Sequence, residues 1–250
     1  HIISMGALPE RVTITGNTKY DETYVEVTEA EKQQMRQEFR VDGMSPVIIA
    51  GSTHRGEEEI VIRVFRKVLD TYPDARLLLA VREITRALTV LSLVKNAGFT
   101  AVRRSQMKTG EDIIQHPEVI VLDTIGELGR VYSLADVVFV GGSFVKVGGH
   151  NILEPAAHGK PVLVGPHMFN FRDIFDLLSR RGACIMTRNE KEFEKILFRL
   201  LEDPEKIEQM GTAALEVVRE NQGGTRRNID FFEKLAKKYN IQLMENSHES

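Results

Sequence analysis

Three short stretches of this chain place groups able to hold an anion directly after an apolar run. Ser52-Thr53-His54 follows Val47–Ala50 and brings two hydroxyls and an imidazole. Arg82 ends the run Arg76–Val81, where a guanidinium can meet a phosphate or carboxylate through two parallel hydrogen bonds. Gly141-Gly142-Ser143 follows Val137–Val140, and Gly148-Gly149-His150-Asn151 then leads into a short helix, Ile152–His158, that carries Glu154. Glycine turns let backbone N–H groups approach a ligand closely, and a helix start adds unpaired donors and the positive end of a dipole. Asn151 fits as the cap of that helix. Glu154 has two readings: it faces the same pocket and accepts from sugar hydroxyls, or it reaches back to the Asn151 N–H in a capping box. A fourth stretch, Asp123–Leu128, puts Gly126 and Glu127 at a helix start, with its unpaired backbone donors. Each stretch also has a plain reading: turns, a polar loop, an exposed strand end, and a helix start with a favourable acid in its first turn.

Other chemistries find little support. His150, His158 and His167 fit no common zinc spacing, so no metal and no cofactor are expected. There is no Ser-His-Asp signature, phosphate-loop lysine motif or nucleic-acid module. Arg103-Arg104 and Arg226-Arg227 read as solvated basic pairs. Cys184, the single cysteine, lies in the apolar run Ala183–Met186 and reads as a buried strand residue, in keeping with a reducing compartment. A net charge of -3 over 250 residues exerts no general pull towards nucleic acid or an anionic membrane. The 42% hydrophobic and 28% charged content is that of a globular chain. No stretch approaches the ~20 apolar residues of a membrane span.

The elements that must position these groups alternate. Buried strands are expected at Val47–Ala50, Arg76–Val81, Phe99–Arg103, Val119–Leu122, Asp136–Val140, Pro161–Val164 and Cys184–Met186. Helices are expected at Thr28–Phe39, Glu57–Tyr72, Glu83–Ala97, Glu127–Ser133, Phe171–Arg181, Glu190–Leu201, Glu205–Asn221 and Asn228–Tyr239. Thr28 and Glu31 form a capping box, and the charges of that first helix read as a solvated face. Phe171–Arg181 is preceded by Asn170 as its expected cap. The class is α/β, a Rossmann-like parallel sheet with helices on both faces, and all the loops named above then emerge at one carboxyl edge. Val12–Thr15 reads as a further strand. With no initiator methionine, the sequence is expected to be a piece of a longer protein. It divides into an interdomain linker region (1–24), a ligand-binding domain (25–240) and a polar, frayed tail (241–250).

The run GGSFVKVGGHNILEPAAHGKPVLVGPHMFNFRDI resembles the C-terminal half of the 3-deoxy-manno-octulosonic acid (Kdo) transferases, which are GT-B glycosyltransferases. The likeness extends from about Val12 to the last helix. It includes GSTHRGEE, DTIGEL and, at the domain junction, TGNTKYD. The chain departs from the family at Val81-Arg82-Glu83, where the family usually shows Pro-Arg-His, and at Lys146-Val147, where an arginine commonly precedes GGHN. The resemblance implies a CMP-Kdo donor domain, with transfer to a lipid A precursor in lipopolysaccharide synthesis. It implies donor contacts at Ser52, Thr53, His54, Arg82, Gly126, Glu127, Gly142, Ser143, Gly148, Gly149, His150, Asn151 and Glu154. Among these, Ser52, Thr53, Arg82 and the start of the Asn151 helix would hold the leaving phosphate, and Glu154 the ribose. It further implies metal-independent, inverting chemistry. The general base, the acceptor site and the anchor to the cytoplasmic face of the bacterial inner membrane would lie in another half, leaving this piece soluble and inactive alone. The alternatives are a GT-B transferase or epimerase using a UDP-sugar, and a non-catalytic nucleotide-binding module.

Overall fold

The computed structural model describes residues 2–22, 26–109 and 114–239. Two compact units emerge from its packing, Thr23–Val218 and a smaller one made of His1–Glu22 with Arg219–Ser250.

The larger unit is a seven-stranded, wholly parallel sheet. Its strands are β1 (Val47–Thr53), β2 (Arg76–Val81), β3 (Ala101–Arg103), β4 (Val119–Leu122), β5 (Val137–Val140), β6 (Val162–Val164) and β7 (Cys184–Met186). They lie in the order β3-β4-β2-β1-β5-β6-β7. Strand order therefore reverses between β1 and β5, and open α/β sheets bind ligands at the carboxyl ends of strands at such a switch point. The β-branched runs chosen for strands are buried on both faces, as parallel strands require.

Helices complete the layers. In chain order they are α1 (Lys19–Glu22), α2 (Glu29–Glu38), α3 (Glu57–Thr71), α4 (Ala87–Asn96), α5 (Arg104–Thr109), α6 (Leu128–Val131), α7 (Leu153–Ala157), α8 (Arg172–Arg180), α9 (Glu190–Leu201), α10 (Pro204–Asn221) and α11 (Gly224–Lys238). On α3, Val61, Val64, Phe65 and Val68 are buried at helical spacing, and Ile60 and Leu69 pack at the margin. Each fully buried side chain of this kind contributes roughly 1.5–3 kcal/mol. The capping box on α2 is present: the Glu31 amide donates to Thr28 Oγ1, and Glu31 Oε2 accepts from the Thr28 amide.

Several expectations change. Val12–Thr15 is not a strand: the stretch follows a 3-10 turn at Pro9–Arg11, no strand pairs with it, and Ile14 is 91% exposed. A β-branched run without a neighbouring ladder has nothing to hold it in a sheet. Residues 104–109, in the stretch between two expected strands, form α5. The expected helix Glu83–Ala97 opens with a 3-10 turn (Ile84–Arg86) before α4, and Glu127–Ser133 resolves into α6 followed by a 3-10 turn. In the smaller unit, Asp21 accepts from the amides of Gly223 and Thr225, both at 2.6 Å, at the entrance to α11. Those bonds, Thr225's first, outweigh desolvation and hold its carboxyl below the usual carboxylate range. The tail 241–250 and the boundary at residues 23–25 lie outside the described residues. No helix among the described residues is long and apolar enough to cross a membrane.

Candidate functional site

The switch-point crevice is closed from beneath by a carboxylate. Glu57, in the first turn of α3, is fully buried, and its two oxygens collect four backbone N–H groups. Oε2 accepts from His54 at 2.9 Å and Gly142 at 2.7 Å, and Oε1 accepts from Ser143 at 2.9 Å and Phe144 at 2.8 Å. Oriented amides of this kind make an anion nest, and here the anion is the chain's own. The amides of Gly142 and Ser143, expected to face a ligand, are therefore engaged. Ser143 is fully buried, its hydroxyl donating to the Val140 carbonyl at 2.6 Å and accepting from the Gly165 amide at 2.8 Å. Glu57 gave no distinguishing sign in the sequence, because any acid suits the first turn of a helix.

The second glycine pair is likewise turned inwards. The amides of Gly148 and Gly149 both donate to the Gly142 carbonyl, at 3.1 and 2.8 Å. Both glycines have positive φ, 105° and 80°. A Cβ would lie 2.4 Å from the Phe169 ring at Gly148 and 2.4 Å from the Met168 sulfur at Gly149. Asn170 fastens the same loop, donating from Nδ2 to the Val147 carbonyl at 2.9 Å and from its amide to Gly148 at 3.0 Å. It does not cap α8, whose start has no side-chain cap. The GGHN and HMFNF segments are thus one interlocked unit.

Above this floor, polar side chains converge from three loops. His54 Nε2 and His150 Nε2 face each other at 2.7 Å, their rings within 1° of parallel, so the imidazoles must take complementary tautomers. Burial, then the neighbouring His54 and Arg82, push His150 down to about 4. Arg82 is exposed, and its field also reaches Glu154. Desolvation raises the Glu154 carboxyl above the usual range, against the opposing pull of Asn151 and Arg82. Asn151 spans the loop and α7: its Oδ1 accepts from the Leu153 amide at 3.1 Å, and its Nδ2 donates to Glu154 Oε1 at 3.2 Å. The bond to Glu154 comes from the Asn151 side chain, not from its backbone.

The loop after β1 divides. Ser52, at φ 55° within an irregularity of the β1–β2 ladder, is half-buried beside the crevice. Thr53 is fully buried, and its hydroxyl points to the Ala80 carbonyl at 3.4 Å, away from any ligand. The fold therefore brings His54, Arg82, His150, Asn151 and Glu154 together, with Ser52 at the end of β1. It assigns Thr53, Gly142, Ser143, Gly148 and Gly149 to the framework that holds them.

Gly126 and Glu127 line a neighbouring cleft of about 350 Å³, with Glu31, Phe39 and Arg130 opposite. Burial pushes Glu127 up, but Lys108 (2.7 Å), Thr124 and Arg104 (3.3 Å) outweigh it and hold its carboxyl below the ordinary value. Arg104 is only 4% exposed, pairs with Glu38 at 3.1 Å and lies 4.0 Å over the Phe39 ring. Arg103 pairs with Asp123 at 3.2 Å. These two arginines are thus not a solvated pair, and Glu31 and Glu38 of α2 are partly committed, Glu31 to Arg130 at 2.6 Å. Arg227 donates to the carbonyls of Thr15 and Gln222 and so is also engaged.

His158 bonds the Gly129 carbonyl at 2.7 Å through Nε2. Among the described residues no group of three or more His, Cys, Asp or Glu is placed to hold a metal ion. Cys184 is buried, and desolvation drives its thiol well above its ordinary value, so it offers no ready thiolate.

Residues 111–217 match the family model "Glycosyl transferases group 1". The 3-deoxy-D-manno-octulosonic acid transferase of Haemophilus influenzae is 38% identical over 228 residues, 91% of this chain and 52% of that protein. The crystal structure of the C-terminal CMP-Kdo binding domain of WaaA from Acinetobacter baumannii is 30% identical, with a TM-score of 0.68 over 76% of this chain and 96% of that domain. WaaG, a glycosyltransferase of lipopolysaccharide biosynthesis, shares the fold at 11% identity, with a TM-score of 0.57 over 89% of this chain and 56% of its own. The chain spans about half the length of the curated relatives it matches, 52% and 51% of two of them.

Proposed function

Because the chain belongs to the 3-deoxy-D-manno-octulosonic acid transferase family and has the Rossmann-like C-terminal half of its GT-B fold, we propose that it is the CMP-Kdo binding half of an enzyme that transfers Kdo to a lipid A precursor. The observation that carries this reading is the meeting of His54, Arg82, His150 and Glu154 at the β1/β5 switch point, in a chain that covers 96% of a CMP-Kdo binding domain.

Arg82 holds the donor phosphate beside the histidine pair, and Glu154 accepts from the ribose hydroxyls. Transfer breaks the bond between the sugar's anomeric carbon and a phosphate oxygen, leaving its electron pair on that oxygen. Fixed positive groups aimed at the developing charge lower that barrier. Gly126 and Glu127 border the cleft on the nucleoside side, where Glu127 also keeps Arg104 and Lys108 in place. On this reading the acceptor, the base that takes its proton and the contact with the inner membrane's cytoplasmic face are assigned to the part of the relatives' length that this chain does not span. These 250 residues bind donor without transferring it.

A transfer assay tests this reading, run on the chain alone and on the chain fused to the N-terminal half of the Haemophilus influenzae relative. Kdo transfer from CMP-Kdo by the fusion alone is the expected result. Robust transfer by the unfused chain, or a fusion that uses UDP-sugars instead, overturns it.

A further inference from the structure

The His54–His150 pair is unusual among the polar groups of the crevice because each ring's Nε2 has the other as its partner. At 2.7 Å, with the rings parallel, the two nitrogens share one hydrogen, and neither can turn towards a ligand without breaking that bond. The backbone fixes both rings. His54 is anchored by its amide on the buried Glu57, and His150 lies against Gly142, where a Cβ would meet its Cδ2 at 2.9 Å. Arg82, after β2, is the charged group outside the pair whose field acts on His150, and the buried Glu57 carboxylate of α3 holds the His54 amide. Burial and then His54 itself oppose a positive charge on His150, and Arg82 adds to that opposition; an anion beside Arg82 offsets its field and places a counter-charge next to the pair.

We propose that the pair takes up one proton when a phosphate diester enters beside Arg82, and that the proton stays between the two Nε2 atoms as an imidazolium–imidazole unit. The inference rests on the donor-site reading above and adds that binding is coupled to proton uptake. In the reaction the anomeric carbon–oxygen bond breaks, and a bond from that carbon to the acceptor oxygen forms. The acceptor's proton leaves to a base elsewhere, and the phosphate goes from one negative charge to two. The proton on the pair balances that second charge; no bond to either histidine forms. When the nucleotide departs, the proton returns to solvent. Without ligand, burial and its neighbours keep His150 neutral near pH 7, with its pKa lowered to about 4.

The test is calorimetry of the whole chain with the methyl phosphodiester of CMP, whose single charge does not titrate near neutrality, and with cytidine as the probe lacking the anion. Titrations in two buffers of different ionisation enthalpy read the protons exchanged. About one proton taken up per diester bound is expected, none for cytidine, with affinity rising up to about tenfold per pH unit as pH falls through the uptake range. His54→Asn and His150→Asn should each abolish the uptake. The two-buffer measurement on the unsubstituted chain stands even if a variant misfolds. Diester binding without proton uptake overturns this inference and leaves the donor site intact. No binding of the diester or of CMP overturns the donor-site reading and this inference together.

Discussion

Glu57 Oε2 accepts the amide N–H of Gly142 at 2.7 Å, joining the first turn of α3 to the glycine loop after β5. The amides of Gly142, Gly148 and Gly149 are all bonded within the chain. A buried carboxylate occupies the nest around Gly142 and sets the shape of the loop on which His150, Asn151 and Glu154 stand. Removing it should cost stability first and binding second. Glu57→Gln retains one acceptor oxygen and puts an NH₂ against amide donors, so a loss on the order of 3 kcal/mol is expected. A fall in melting temperature of roughly 6–12 °C would accompany it. Thermal denaturation followed by circular dichroism checks this; an unchanged midpoint would mean that the four bonds are dispensable.

Gly148→Ala forces a Cβ into the Phe169 ring at a residue of φ 105°. The expected cost is about 1–3 kcal/mol from overpacking and backbone strain. Phe169→Ala in the same chain should recover part of it by removing the obstacle. A double-mutant cycle in urea reads the coupling, and strict additivity would contradict the interlock.

His150 sets a pH dependence of the ligand-free fold. Its folded-state pKa, about 4, lies below the ordinary value of about 6.5. The unfolded chain then binds more protons between those values, so this group's contribution falls as pH drops from about 6.5 towards 4. Discounted for partial solvent screening, the loss is roughly 1–2 kcal/mol. His158, also depressed by burial, adds in the same direction, whereas Glu154, raised by burial, acts oppositely over its own range. His150→Gln should flatten the wild-type slope of stability between pH 6.5 and pH 4. A slope unchanged by the substitution would rule out His150 as its source.

Arg82 is exposed and leaves the fold little to lose on truncation. Arg82→Ala should therefore keep the melting temperature and weaken CMP binding about ten- to a hundredfold, the range for a lost bond to a charged group. Arg82→Lys should restore part of that loss. Wild-type affinity in the alanine variant would exclude Arg82 from the phosphate site.

Much of the framework was legible because burial on both faces of a parallel sheet leaves a plain trace: Val137–Val140 and Val119–Leu122 are unbroken apolar runs between glycine- or polar-rich loops. Asn151 and Glu154 were readable as neighbours because they stand only three positions apart in the chain. What escaped was long-range. Glu57 and Gly142 lie far apart in sequence, and three consecutive acids, Glu57, Glu58 and Glu59, gave no reason to choose the one that turns inwards. Glu58 is buried too, against Arg86 at 2.8 Å. Arg104 looked solvated because α5 was not foreseen; once that helix begins directly after β3, the side chain is carried onto Phe39 and between two glutamates. Val12–Thr15 failed in the opposite sense, with strand composition but no strand to pair with. Thr53 shows a finer limit, since neighbouring loop residues Ser52 and Thr53 differ only in which way the irregular backbone turns them.

The most direct measurement is a calorimetric titration of the chain with CMP and with UDP, repeated on Glu154→Ala. Binding of CMP in preference to UDP, weakened at least about tenfold by the substitution, is the predicted result. Equal or tighter binding of UDP, CMP affinity indifferent to Glu154, or no binding of either nucleotide would contradict a CMP-sugar donor site at the β1/β5 crevice.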